Sequence, residues 1–259
     1  MTSSTASGRR ERQREATYAE IVSTARALLA EGGELSLRAI AQRMGITAPA
    51  LYRYVANYQE LVDLVAFEID KAATTRFAEA AARYPDDDPA GQLVAATAAF
   101  RSWALANPRE FGLVFANPIA DSSCVRRDLL TSATSGHFMN GLLVRIFHER
   151  GIPHPALDEL DPEVRAAVLD PLIPIDASAI DEADRGVLWI FMRAWQTLYG
   201  VVTLEVFGHM DPRVIESAAM FTAAMHSQLP PLGLDAEPEG PRLQAILAAE
   251  LAREAAQKP

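Results

Sequence analysis

Cysteine is nearly absent from this chain of 259 residues, with Cys124 standing alone. A single thiol excludes an internal disulfide and a multi-cysteine metal cage, and a small core residue is the simplest role for it. Long apolar runs are missing too. No stretch of about 18 apolar residues occurs, which predicts that no helix crosses a membrane. The N-terminus carries no apolar signal segment, so the expected location is the cytoplasm. Catalytic fingerprints are equally scarce: there is no GxSxG, P-loop, HExxH or glycine-rich dinucleotide motif. The five histidines, at 137, 148, 154, 209 and 226, have no paired helical ligand spacing. His154 with Asp158 and His209 with Asp211 fall near predicted loops, where solvation is the expected role. Neither an enzyme, a cofactor nor a metal site is expected.

Strand-like alternation and repeats of 20–50 residues are also lacking, which leaves an all-α fold. The length allows one or two domains, each able to bury a core, and 49% hydrophobic with 7% aromatic residues is ordinary for a globular chain. The net charge of −10 hides a division. Residues 1–65 hold eight arginines against seven acids, whereas the remainder is strongly acidic. An acidic body repels phosphate everywhere except at one end, which orients the molecule on a polyanion.

What is present concentrates at Leu35–Leu61, LSLRAIAQRMGITAPALYRYVANYQEL. Ser36 is placed to cap a helix, and Leu37, Ile40, Ala41 and Met44 recur on one stripe of it. Gly45 follows, where a left-handed backbone is cheap only for glycine. Thr47 is placed to cap a second helix, Pro49 suits its first turn, and Leu51 and Val55 turn its buried side inward. Two short helices joined by a tight turn place the second in a DNA major groove. Base contacts then come from Thr47, Ala48, Pro49 and Ala50. Three of these offer no side-chain hydrogen bond, so readout should use thymine methyls and DNA shape. Tyr52, Arg53 and Tyr54 are expected on phosphates.

Residues 17–65 resemble the DNA-binding domain of the tetracycline-repressor (TetR) family of bacterial regulators. The resemblance lies in Ile40–Ala41, the glycine-hydrophobic-Thr turn Gly45–Thr47, Leu51–Tyr52, and the cap-x-x-acid-Leu of Asn57–Leu61. It implies Arg38 as a guanine contact, with a phosphate contact or a solvated surface charge as the alternative, and Tyr52 as a backbone anchor. Tyr58 stands where most relatives carry lysine, and its hydroxyl with the free N–H groups of that helix start can replace part of the lost contact. Val55–Ala56 replace the usual Phe-Pro.

The pattern predicts a flexible basic arm at 1–14 with Arg9, Arg10, Arg12 and Arg14, which either reaches a phosphate or minor groove or serves as a solubilising tail. A helix-turn-helix domain follows at 15–62, then a helical effector-binding and dimerisation domain at 63–232, and a tail at 233–259 with a possible helix over 241–256. Helices are expected at about 16–31, 57–82, 90–106, 109–116, 124–150, 162–169, 183–208 and 212–228. Residues 193–209 further resemble the WHG subgroup of the family's C-terminal domains through Trp195, Gly200, Leu204, Glu205 and Gly208, with Tyr199 in place of its histidine. The family resemblance implies a homodimer through the helices at about 183–208 and 212–228, a double-stranded palindromic operator, and a small-molecule effector. Candidates to line the effector pocket are Trp103, Phe111, Phe115, His137, Phe138, Asn140, Trp189, Met192, Trp195 and Tyr199, aromatic and methionine side chains with polar residues interspersed. Repression by a TetR-type regulator, relieved by a mostly apolar effector, is the reading these features favour. The alternative is a helix-turn-helix regulator governed by a protein partner, or one without any ligand.

Overall fold

Apolar residues at helical spacing decide the first elements. A computed structural model describes residues 3–116 and 133–256, all helix and loop with no strand among them. Helix α1 (Ser3–Ala30) buries Ile21 and Ala25, α2 (Leu37–Arg43) buries Ile40 and Ala41, and α3 (Ala48–Leu51) buries Leu51. Helix α4 (Tyr58–Ala81) buries Leu61, Val65 and Ile69 along one stripe. Each such aliphatic side chain contributes about 1.5–3 kcal/mol when withdrawn from water. Then come α5 (Pro89–Ala106), α6 (Pro108–Phe115), α7 (Thr134–Arg150), α8 (Pro162–Leu169), α9 (Val187–Val206), α10 (Pro212–Glu216), α11 (Ala219–His226) and α12 (Glu239–Ala256).

Two compact units divide the described chain. One holds the residues up to Asp70 with those from Arg109 of α6, and the other holds Lys71 to Pro108 with the chain from α7 onward. In the first, Arg26 grips Glu110 through two hydrogen bonds of 2.6 and 3.2 Å. Arg109 donates to the carbonyls of Leu29 and Ala30, the orphan acceptors at the end of α1. Gly32 has φ +79°, and a Cβ there would come within 2.9 Å of the Arg109 guanidinium.

In the second unit, α5 is buried nearly all round, and α7, α9 and α12 pack against it. Small residues such as Ala90, Ala95, Ala96 and Ala98 let these neighbours approach closely. Arg101 of α5 pairs with Glu205 of α9 at 2.6 Å, both buried. Helix α12 is pinned at both ends. Arg242 reaches Asp88 and Glu239, and Glu250, fully buried, accepts from Arg83, Tyr84 and Arg253.

Two expectations need correction and two gain detail. Helix α1 runs back to Ser3, so the 1–14 arm is helical over its described part. Arg, Glu, Gln and Ala between Arg9 and Ala16 are strong helix formers, and extending an existing helix adds one hydrogen bond per residue fixed. The predicted 212–228 helix is two helices, broken at Ala218 with φ 54°. The Ile215 carbonyl at the break accepts from the Ala218 N–H in a tight turn and from Arg101 at 2.6 Å, in place of the i+4 bond of a continuous helix. Residues 241–256 belong to a docked helix, α12, with Leu243 and Leu247 buried. Finally, α9 is long and apolar enough to cross a membrane by length and composition alone. Arg193 and Glu205 interrupt its apolar run, so it contains no unbroken apolar stretch of that length. In this fold α9 packs against α5, α8 and α11. Cys124 and the first turns of the predicted 124–150 helix lie outside the described residues.

Candidate nucleic-acid interface

The turn between α2 and α3 is fixed by backbone bonds as the sequence spacing demands. Ser36 Oγ accepts from the Ala39 N–H at 3.2 Å and starts α2. At its end Gly45 adopts φ +68°, its N–H bonds the Gln42 carbonyl, and the Ile46 N–H bonds that of Ala41. These paired reverse bonds close a helix only where one residue is left-handed. Thr47 occupies the cap position of α3, but its side chain makes no capping bond; its carbonyl accepts from Ala50 and Leu51 instead. Past Leu51 the chain tightens through turns to Val55. Asn57 Oδ1 then accepts from the Glu60 N–H, while Glu60 reaches back to the Ala56 N–H, setting the start of α4.

That framework leaves one face open. Arg38, Thr47, Pro49 and Arg53 are exposed, Ala48 and Ala50 half-buried, and Tyr52 and Tyr58 are 52% and 51% exposed. Leu51 and Val55, on the opposite side, are buried. No hydrogen bond or ion pair engages the Arg38 or Arg53 guanidinium among the described residues, whereas Arg43 is taken by Glu31. Tyr54 is half-buried and doubly held: its carbonyl accepts from the Tyr18 hydroxyl at 3.1 Å, and the two rings meet edge-on with centroids 5.7 Å apart. Tyr18 was missed in the sequence, though Arg14 and Tyr18 stand four apart, the spacing of neighbours on a helix.

The pocket candidates do not all come together. Trp103 is buried in an aromatic cluster with Phe77 and Phe100, and Phe100 in turn meets Trp195, which stacks on Tyr199. Phe111 and Phe115 pair with each other at 5.3 Å, in the other compact unit. His137 is exposed, Phe138, Trp189 and Met192 are half-buried, and Asn140 donates to the Pro174 carbonyl. The polar company is largely committed: Arg145 bonds Gln92 and the Asp86 carbonyl, as Arg101 bonds Glu205.

A capped helix, a glycine turn and a second short helix with an open polar face, joined to a larger all-α unit, define a helix-turn-helix DNA-binding regulator. Residues 21–65 match the profile of bacterial regulatory proteins of the tetR family, and residues 93–228, over half the chain, match the tetracyclin repressor-like C-terminal domain. The chain belongs to the TetR family of transcriptional regulators. It is 35% identical over 118 residues to HTH-type transcriptional regulators Rv1816 of Mycobacterium tuberculosis and Mb1846 of Mycobacterium bovis, covering 43% of this chain and 49% of theirs. The chain thus spans about half the length of the curated relatives it matches. A solved structure of a protein described as regulatory, SCO4313, superposes with a TM-score of 0.58 at 27% identity, over 85% of this chain and 98% of that one.

Proposed function

We propose that the protein is a repressor that binds a palindromic operator as a homodimer and leaves it when a mostly apolar small molecule binds its helical body. The observation that carries the DNA half of this reading is the open face of α3. Beside it Arg38 of α2 and Arg53 just past α3 have no carboxylate partner among the described residues, and Thr47, Pro49, Tyr52 and Tyr58 are exposed. In this reading Thr47, Ala48, Pro49 and Ala50 meet base edges, Arg38 reads guanine, and Tyr52, Arg53, Tyr54 and Tyr58 hold the backbone.

Dimerisation is supported by what the C-terminal helices leave uncovered. Leu204 of α9, Phe207 just beyond it, and Met220 of α11 are all large, apolar and about 40–50% exposed. An apolar patch on two adjacent helices is a surface that a second copy would cover. The effector is proposed to enter near Phe138, Trp189, Met192, Trp195 and Tyr199, which are only partly buried. Helix α4 is unbroken from Tyr58 to Ala81, starting in the DNA-reading unit and ending in the other. It is the proposed lever, and the effector shifts operator affinity only as far as it prefers one of two head spacings.

Selection of bound duplexes from genomic fragments, followed by gel shift, tests the reading. A palindromic site bound by two chains and released by one compound from a library supports it. Equal operator affinity with and without every compound that quenches tryptophan fluorescence overturns the effector half.

A further inference from the structure

Beside α3 lies a shallow cleft of about 320 Å³, walled by Gln13, Arg14, Arg53 and Tyr54. We propose that this cleft clamps one phosphodiester of the DNA backbone, so that the N-terminal part of α1 is a rigid member of the DNA-binding surface. The proposal rests on the reading that this head binds DNA, and it extends that head to residues on a different helix.

Three observations point to an anion of this kind. Arg14 is held in place: its Nη2 donates to the Tyr18 hydroxyl at 3.1 Å, and its guanidinium lies 5.5 Å from the centre of the Tyr18 ring. Tyr18 in turn donates to the carbonyl of Tyr54, itself a wall of the cleft. The strut Arg14–Tyr18–Tyr54 therefore fixes α1 to the end of the reading turn. A guanidinium has five N–H donors, and this arrangement uses one of Arg14's, leaving the others for a ligand. Across the cleft Arg53 adds a second fork, and Gln13 an amide. No carboxylate pairs with Arg14 or Arg53 among the described residues. Glu11, on the same helix, acts on Arg14 by charge alone, without an ion pair. Two planar forks converging with neither ion-paired match a tetrahedral oxyanion that accepts several hydrogen bonds.

The same chemistry would suit a free phosphate, and the test separates the two sources. Full-length wild type is compared with Arg14→Gln and Arg53→Gln on its selected operator and on an unrelated duplex, across a series of salt concentrations. Arg14→Gln is expected to weaken both duplexes by a similar factor, about five- to tenfold. The plot of log affinity against log salt should become shallower by about 0.9 for each protomer. Arg53→Gln should do the same, and Arg14→Lys should restore the slope, because the salt term counts charges. Unchanged helicity by circular dichroism separates these effects from misfolding. An unchanged slope in Arg14→Gln, with wild type still binding its operator, overturns the clamp and leaves the repressor reading intact. A loss confined to the selected operator overturns it too, since that marks a base reader. Inorganic phosphate that raises the melting temperature of wild type but not of Arg14→Gln, with DNA slopes equal, overturns the DNA assignment in favour of a free anion. Failure of wild type to bind any duplex removes the parent reading and this one with it.

Discussion

Arginine does opposite work at the reading face and in the helical body. At the reading face Arg38 and Arg53 have no acidic partner among the described residues, and Arg14 bonds only a neutral tyrosine. In the helical body most arginines end on an acid or a carbonyl. Arg83 and Arg253 converge on Glu250, Arg242 bridges Asp88 and Glu239, Arg101 holds Glu205, and Arg185 caps the Leu169 carbonyl. A cation surrounded by internal acceptors is structural, and one denied them awaits an external anion. The acidic balance of the body therefore does more than repel DNA: its carboxylates also occupy its own cations.

Breaking a committed pair should have the largest effect. Arg101→Ala takes from Glu205, which is 3% exposed, its buried guanidinium partner, and removes one donor from the Ile215 carbonyl, which keeps the Ala218 N–H. Removing one partner of a buried pair costs about 3–5 kcal/mol. Urea unfolding should report that loss, while Arg101→Met with Glu205→Leu should recover most of it. A single variant within about 0.5 kcal/mol of wild type would mean the pair is solvated and the contrast between reading face and body is wrong.

The apolar face of the C-terminal helices comes next. Leu204→Glu with Met220→Glu places charges on the proposed subunit contact, and central anchors of an interface are each worth about 2 kcal/mol or more. Light scattering should show the mass halved at concentrations where wild type is a dimer, with the monomer still helical. An unaltered mass would move the contact elsewhere. At the reading face the cost should fall on DNA alone. Arg38→Ala should lose about 1–3 kcal/mol on the operator and relax preference at one base pair per half-site. Its stability should stay within about 0.5 kcal/mol, because it is exposed. Uniform weakening on every duplex would make Arg38 a phosphate contact.

The same contrast explains what the sequence could tell. Short-range devices were legible: Ser36 caps, Gly45 turns, Asn57 and Glu60 start α4, and α8 spans Pro162–Leu169 as its spacing predicts. Periodicity could not foresee long-range partners. Arg101 reaches the Ile215 carbonyl beside the break at Ala218 from another helix, and Glu250 of α12 is held by Arg83 and Tyr84 from far along the chain. Aromatic spacing likewise could not separate Trp103, a core residue, from Trp195, which is 39% exposed. Phe111 and Phe115 carried the right chemistry for a pocket but fall in the unit that also holds α1 to α3.

The smallest effect sharpens the comparison by asking what happens when a body carboxylate is not fully matched. Glu254, near the end of α12, is pushed up to about 8, chiefly by burial and against the pull of Arg101 and Arg83, with Glu250 adding repulsion. Its ordinary value is 4.5, so in the unfolded chain it ionises well before it does in the fold. A group whose folded value is raised contributes stability fully below the unfolded value and loses it as pH rises through the folded one. Stability should therefore decline between about pH 4.5 and 8 on this group's account and level off above. Glu254 is half-buried, so solvent screening leaves on the order of 1 kcal/mol of the full linkage. Glu254→Gln, neutral at every pH, should be more stable than wild type near pH 8.5 by that amount and should flatten the decline. The opposite trend below about pH 4.5 is left to Glu250, Glu239 and Asp88, whose values are lowered with arginine partners beside them. Chemical denaturation at several pH values reads both. A wild-type profile that does not fall over this range would place Glu254 among the matched acids, and the body would then have no uncompensated carboxylate at this end of α12.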